Sequence, residues 1–241
     1  MIASNNYKFI FFGIPKTGSK SIRTTFRLNP EEEILQYIGT HHTRCIDGRE
    51  IFKDKNLDKE WGRYFKFIFV RNPWKRIFSA FSFRLEKHLL YQDKERLEKH
   101  CLKFKDSFYK THPDPEKGYK SWEERTLKHL SQVSRFFSCH NDFKKAFKQT
   151  VINHESQESY FIDQDNRTMV DHIGAFENIQ NEFKSICLLL GINTVKELKH
   201  ENKTNYKNLT IDYKDMYDQE TIDIVANKDK AIIDIKGYDF F

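Results

Sequence analysis

The 241-residue chain has only four cysteines, Cys45, Cys101, Cys139 and Cys187, set far apart, with no Cys-x-x-Cys pair and no histidine spacing suited to zinc. A cysteine-based metal centre is excluded, and buried or incidental thiols in a reducing compartment are expected. No apolar run approaches the length of a membrane span, and residues 1–6 lack the basic region and apolar core of a secretory signal, which points to a cytoplasmic protein or to a chain trimmed at its start. The carboxylates form no metal-ligand pattern, so no metal is expected. Internal repeats and low-complexity tracts are absent as well. The basic residues of 84–105 are interleaved with acidic ones, which argues against a nucleic-acid stripe. Apolar residues reach only 38% against 32% charged, so the aromatic 15%, led by 22 phenylalanines, must carry much of the core. The length suits one α/β domain, residues 1–241. The formal charge of +6 and pI near 8.9 suit an anionic cofactor and an anionic acceptor, and equally a solvated lysine-rich surface with no ligand.

Two motifs stand out. Phe9-Ile10-Phe11-Phe12 runs into Gly13-Ile14-Pro15-Lys16-Thr17-Gly18-Ser19-Lys20-Ser21, and Phe67-Ile68-Phe69-Val70 runs into Arg71-Asn72-Pro73-Trp74. Each reads as a buried strand, a polar loop and then a helix. In the first, backbone N–H groups and hydroxyls can converge on an anion at a helix N-terminus. Asn72 is a good N-cap and Pro73 a good first helical residue, so Arg71 leaves its strand where a helix begins. Two cationic strand ends suit a ligand with two separated anionic groups, such as a nucleotide phosphorylated on both sides of its ribose. Gly13 and Gly18 are in register for a Walker A loop, but Ser19 occupies the lysine position and Lys20-Ser21 arrive one residue late. One residue is about 100° of helical rotation, enough to turn that lysine away, whereas Lys16 lies inside the loop.

Pro15 through Ser21 resembles the phosphosulfate-binding loop of the sulfotransferases, and Val70 through Phe81 resembles their 3′-phosphate motif, closest to the carbohydrate branch and its bacterial relatives. The resemblance extends to His41-His42-Thr43, to Asp171 through Asn178, to His200-Glu201-Asn202-Lys203-Thr204 and to the ending Gly237-Tyr238-Asp239-Phe240. It implies a P-loop-like α/β fold with a central, mainly parallel sheet flanked by helices, and a donor, 3′-phosphoadenosine 5′-phosphosulfate (PAPS). It implies transfer of a sulfuryl group to a hydroxyl of a carbohydrate or glycoconjugate. A P-loop kinase and an inactive nucleotide- or glycan-binding module are the alternatives. Lys20 departs from the threonine usual at its position.

Sulfuryl transfer needs alignment and charge stabilisation, by analogy with phosphoryl transfer. Lys16 is placed to neutralise charge on the bridging oxygen, and the loop amides with the hydroxyls of Thr17, Ser19 and Ser21 to hold the 5′-phosphate. Pro15, Gly18 and Lys20 complete that loop, Arg71 and Ser79 are read as 3′-phosphate ligands, and Lys203 and Thr204 as closing over the nucleotide. His41 and His42 are both candidates for the base, with His41 favoured because it keeps a His-x-Thr pattern. Gln157 and Tyr160 are candidates to touch acceptor. Glu177 reads as a structural cap or pair, and Lys75 and Arg76 as surface charges.

Along the chain, residues 7–13 and 65–70 are expected as strands and 18–28 as a helix with Ile22, Thr25 and Phe26 inward. Trp74, Ile77, Phe78, Phe81, Leu85 and Leu89 form a core stripe. Residues 86–110 and 121–150 read as helical, separated by a turn-rich loop Thr111 to Gly118. Helices are also expected over 178–190 and 218–235. The stretch of about 84–155 is read as an insertion that shapes the acceptor site.

Overall fold

The computed structural model describes residues 1–27, 35–55, 58–111, 114–140, 142–193, 197–198 and 211–241. The chain forms two compact units. The first comprises Met1–Ile77, His154–Lys203 and Tyr217–Phe241, and the second Phe78–Asn153 and Thr204–Met216.

The first unit is α/β. Among the described residues its sheet holds five strands in the order β3-β1-β2-β4-β5, where β1 is Ile2–Ser4, β2 Phe9–Phe12, β3 Leu35–Tyr37, β4 Phe65–Val70 and β5 His172–Ala175. β2, β4 and β5 run parallel, with Phe11 opposite Phe67 and Phe67 opposite His172, while β1 pairs antiparallel with both β2 and β3. The parallel part is the one into which both motifs run. The short β1 and β3 are additions to the expected strands.

Side chains alternate across a strand, so a strand buried on both faces is apolar at every position. Phe9, Phe11, Phe67 and Phe69 face one side, where they meet Ile22 and Phe26 of α1 (Ser19–Arg27) and Phe183 and Ile186 of α8 (Ile179–Leu189). Ile10, Phe12, Ile68 and Val70 face the other, with Phe52 of α2 (Cys45–Asp54), Tyr64 and Phe161. The Phe26 ring lies 4.9 Å from Phe9 and 5.1 Å from Phe183, in tilted and edge-on contacts that aromatic pairs favour. Each buried ring stabilises the fold by about 1.5–3 kcal/mol. Thr25 is buried beside Ile22 and Phe26, as the helical spacing predicts.

Asn72 caps α4 (Pro73–Gln92), accepting from the Lys75 N–H at 3.1 Å through Oδ1. The expected helix over 218–235 is two, α9 (Gln219–Lys228) and α10 (Lys230–Lys236), meeting at the buried Asp229. Arg76 is a correction: it is not a surface charge but only 1% exposed, 3.7 Å from an Asp229 that is equally buried. Lys75, one position along the helix, is exposed. About 100° of rotation per residue is what separates the two.

Among its described residues the second unit is helical. It holds the remainder of α4, α5 (Lys94–Thr111), α6 (Pro115–Ser138) and α7 (Phe143–Asn153), with one short 3₁₀ turn at Tyr213–Met216. Phe81 packs 5.7 Å from Phe137 and 5.2 Å from Phe147, and α5 meets α6 through stacked Phe104 and Trp122 at 4.6 Å. Trp74, Ile77, Phe81 and Leu85 are buried as the stripe requires, but Leu89 is 42% exposed. The loop expected over Thr111 to Gly118 is a second correction, because α6 begins at Pro115. Asp114 caps it by accepting from the Lys117 N–H, and Pro115 occupies a position where a missing N–H costs nothing. The helix read over 121–150 is interrupted between Ser138 and Phe143.

No helix of the described residues is long and apolar enough to cross a membrane. All four cysteines are free, Cys45 and Cys187 buried, Cys101 half-buried and Cys139 exposed.

Candidate active site

The loop between β2 and α1 has an alternating backbone. Lys16 has φ 70° and Gly18 φ 79°, with Thr17 between them outside the left-handed region. Such alternation turns successive N–H groups toward one side and makes an anion-binding concavity. At Lys16 a side-chain-bearing residue holds a conformation that costs free energy, as functional loops often do. Gly18 is required twice over: its φ favours glycine, and a Cβ there would sit 2.6 Å from Ile179 Cδ1 and 3.2 Å from the Phe176 ring. The Ile22 N–H donates to the Gly18 carbonyl at 3.2 Å, so the leading amides of α1 belong to residues 19–21. No acidic residue occupies that first turn. An anion there meets the positive end of the helix dipole.

Thr17 is fully buried, and its hydroxyl donates to the Ile14 carbonyl at 3.0 Å. The hydroxyl expected to face an anion thus ties the loop to itself. Ser19 and Ser21 are buried on the first turn of α1, Lys20 is exposed, and Pro15 and Lys16 are half-buried.

Arg71 follows β4 directly. Its Nη1 donates to the Lys16 carbonyl at 3.3 Å and its guanidinium lies over the Phe176 ring, 4.5 Å from the centroid. The two motifs, 55 residues apart, therefore meet at one loop. Gln157 and Glu177 hold this strand end. The Gln157 amide bonds both the N–H and the carbonyl of Arg71, and Glu177 accepts from the Asn72 N–H at 2.9 Å and from the Tyr238 hydroxyl at 2.7 Å. Burial and the neighbouring Glu177 carboxylate push the Tyr238 hydroxyl well above its ordinary range, which keeps it a donor. Asn72 Nδ2 donates to the Asp239 carbonyl at 2.8 Å, so the closing segment of the chain is tied to the second motif. Gln157 is fully buried, and Tyr160, also buried, donates to Glu155 at 3.1 Å. The expectation that Gln157 touches an acceptor is thereby corrected: both ends of its amide are engaged inside the protein.

The two histidines differ. The His41 carbonyl accepts from Arg23 Nη1 at 3.2 Å. The His42 ring instead places Nδ1 2.7 Å from the Gly13 carbonyl, at the head of the loop. A carbonyl only accepts, so Nδ1 carries the proton and Nε2 the lone pair. Gly13 leaves no room for a side chain, since a Cβ would lie 2.9 Å from the His41 carbonyl oxygen and 3.0 Å from Ser19 Cβ. Loss of hydration lowers the His42 imidazole below its ordinary 6.5; the bond to Gly13 opposes that shift, and Arg23 and His41 reinforce it. His41 is lowered as well, chiefly by desolvation and then by Arg23.

Ser79 is buried on α4 and belongs to the second unit. His200, Glu201, Asn202, Lys203 and Thr204 lie outside the described residues. Arg23 and Phe176 are additions that sequence reasoning did not place in the site, and Gln157, expected at the acceptor, holds the Arg71 backbone instead. Phe176 stands within a recognised segment, but nothing local marks Gln157, 86 residues from the backbone it holds.

A family model described as the sulfotransferase family matches residues 1–234. No curated protein and no solved structure matches the chain.

Proposed function

From the premise that this chain belongs to the sulfotransferase family, whose enzymes take PAPS as donor, we propose that it sulfates a hydroxyl of a carbohydrate or glycoconjugate, with His42 as the base. The observation that carries the assignment of roles is the convergence on one loop of the Arg71 guanidinium, at Lys16, and the His42 ring, at Gly13. When bound, the donor supplies an activated sulfuryl group and departs as adenosine 3′,5′-bisphosphate.

The residues present suit that donor, whose two phosphate-bearing ends need two cationic sites. Lys16, the amides that follow it and the leading turn of α1 suit the 5′ side, with Ser19 and Ser21 as hydroxyl donors and Thr17 contributing its N–H. Pro15 and Gly18 shape that loop, and Lys20 adds a cation at its edge. Arg71 suits the 3′-phosphate, with a planar fork of donors steadied on the Phe176 face. Ser79, Lys203 and Thr204 complete the nucleotide site by their resemblance to the family's motifs. His42 takes the acceptor's proton on Nε2 while its Nδ1–H stays on the Gly13 carbonyl, which fixes the tautomer.

The chain is read as one catalytic domain in which the helical stretch of about 84–155 shapes the acceptor site. Residues 78–153 hold 16 of the 41 basic residues and 10 of the 35 acidic ones, so the whole formal excess of +6 falls there. That supports an anionic acceptor, such as a sulfated or uronic-acid-containing glycan. Four free thiols support a cytoplasmic setting.

Isothermal titration with adenosine 3′,5′-bisphosphate, in parallel with ATP and magnesium, tests the reading. Metal-independent binding of the bisphosphate that is lost in Arg71→Ala is expected. ATP binding with none of the bisphosphate would overturn it in favour of a kinase.

A further inference from the structure

The side-chain amide of Gln157 makes two hydrogen bonds to a single residue: Oε1 accepts from the Arg71 N–H at 2.8 Å and Nε2 donates to the Arg71 carbonyl at 2.9 Å. A neighbouring strand would make the same pair of bonds, and here one side chain supplies them immediately after β4 ends at Val70. Gln157 is itself held. Its N–H donates to Asp229 Oδ1 at 2.5 Å, and Arg76, 3.7 Å from the other oxygen of that carboxylate, donates to the Glu155 carbonyl at 2.5 Å. Glu177 takes the next N–H, that of Asn72. Both peptide groups flanking the Arg71 Cα are therefore fixed by side chains from distant segments, and Gln157 and the Arg76–Asp229 pair are almost wholly out of solvent. A buried charge pair is a poor source of stability, because desolvation offsets most of the attraction. Fixing the origin of a charged side chain is a use that does not depend on net stabilisation.

We propose that Gln157 is a positioning residue for Arg71: its amide, anchored through Asp229, sets the backbone from which the guanidinium reaches a 3′-phosphate, and so sets the preference for a 3′-phosphorylated nucleotide. This rests on the assignment of Arg71 to the 3′-phosphate made above. An arginine whose backbone shifts loses the geometry of a charge-assisted contact, while ligand groups held by the amides of the β2–α1 loop are affected less.

The test compares adenosine 3′,5′-bisphosphate with adenosine 5′-monophosphate by isothermal titration, on the native chain, Gln157→Leu and Gln157→Asn, with thermal unfolding measured on each. Leucine removes both bonds at similar size, and asparagine keeps the amide but is one methylene too short to make both. The ratio of the two affinities is expected to fall about tenfold in each variant, the equivalent of one charge-assisted hydrogen bond, with the monophosphate affinity moving less than about twofold. An unchanged ratio, or an equal loss for both ligands, would overturn the proposal and leave Gln157 a purely structural residue. So would failure of both variants to fold. A native chain that shows no preference for the bisphosphate would overturn the Arg71 assignment, and this proposal with it.

Discussion

The Gly13 carbonyl accepts from the His42 ring, and that bond decides which nitrogen of the ring can act as a base. Because the imidazole is lowered from 6.5, it is neutral at neutral pH and charges only in acid. With His42 as the proposed base, which must be neutral to act, turnover is expected to be flat above about pH 7 and to fall at lower pH, with an apparent pKa below the ordinary histidine value. His42→Asn should remove that acid limb and lower kcat by roughly 10²- to 10⁴-fold, whereas His41→Asn should keep the limb. A pH profile of the native enzyme and the two variants checks this; a limb that vanishes with His41 instead would reverse the assignment. The adjacent pair was legible in the sequence, and the His-x-Thr pattern favoured His41. Only the ring-to-carbonyl bond separates the two. Thr17 teaches the same lesson, since its hydroxyl is available to a ligand on paper and donates to Ile14 in the fold.

Helix starts were written most plainly where an N-cap precedes proline. Asn72-Pro73 predicts the first residue of α4, and the Lys75 N–H bond to Asn72 follows. Asp114-Pro115 carries the same signal, yet it sits among Thr111, Pro113 and Gly118, and that density of turn formers reads as a loop. The side-chain cap and the proline at the first position nonetheless mark the start of a 24-residue helix at Pro115. Asp114→Ala is expected to destabilise the protein by about 1 kcal/mol in chemical denaturation, with the affinity for bisphosphate unchanged. β2 and β4 were legible for a different reason: strands buried on both faces are apolar throughout, and such short runs ending at Gly or Arg-Asn-Pro leave few other readings. The short β1 carries no comparable signal, and pairing with β2 and β3 is what makes it a strand.

Across the whole molecule, the second motif is held by residues drawn from far along the chain. Arg76 and Asp229 come together over 153 positions, and Asp239 reaches back to Asn72. Burial pushes the Asp229 carboxyl above its ordinary range even with Arg76 beside it. Arg76→Ala leaves that carboxylate without its cation and is expected to cost about 3–5 kcal/mol, while Arg76→Met combined with Asp229→Leu should recover most of the loss. Urea denaturation of the three variants is the check; equal destabilisation of the single and double changes would show that the pair is not coupled. In the sequence Arg76 is indistinguishable from Lys75, because a charge on a helix is ordinarily solvated and its partner stands at a distant junction between two other helices.

By itself the sequence determined the two strand-loop-helix motifs, the residue types that can hold an anion at each, and the family, because these depend on local periodicity, on caps and on spacing within a few turns. The tertiary structure decided the rest: which histidine bonds the loop, where Arg71 points, and that Gln157, Asp229 and Arg76 belong to the same constellation. Hydrogen bonds at about 3 Å between segments tens of residues apart leave no periodic trace in a chain, so only packing reveals them.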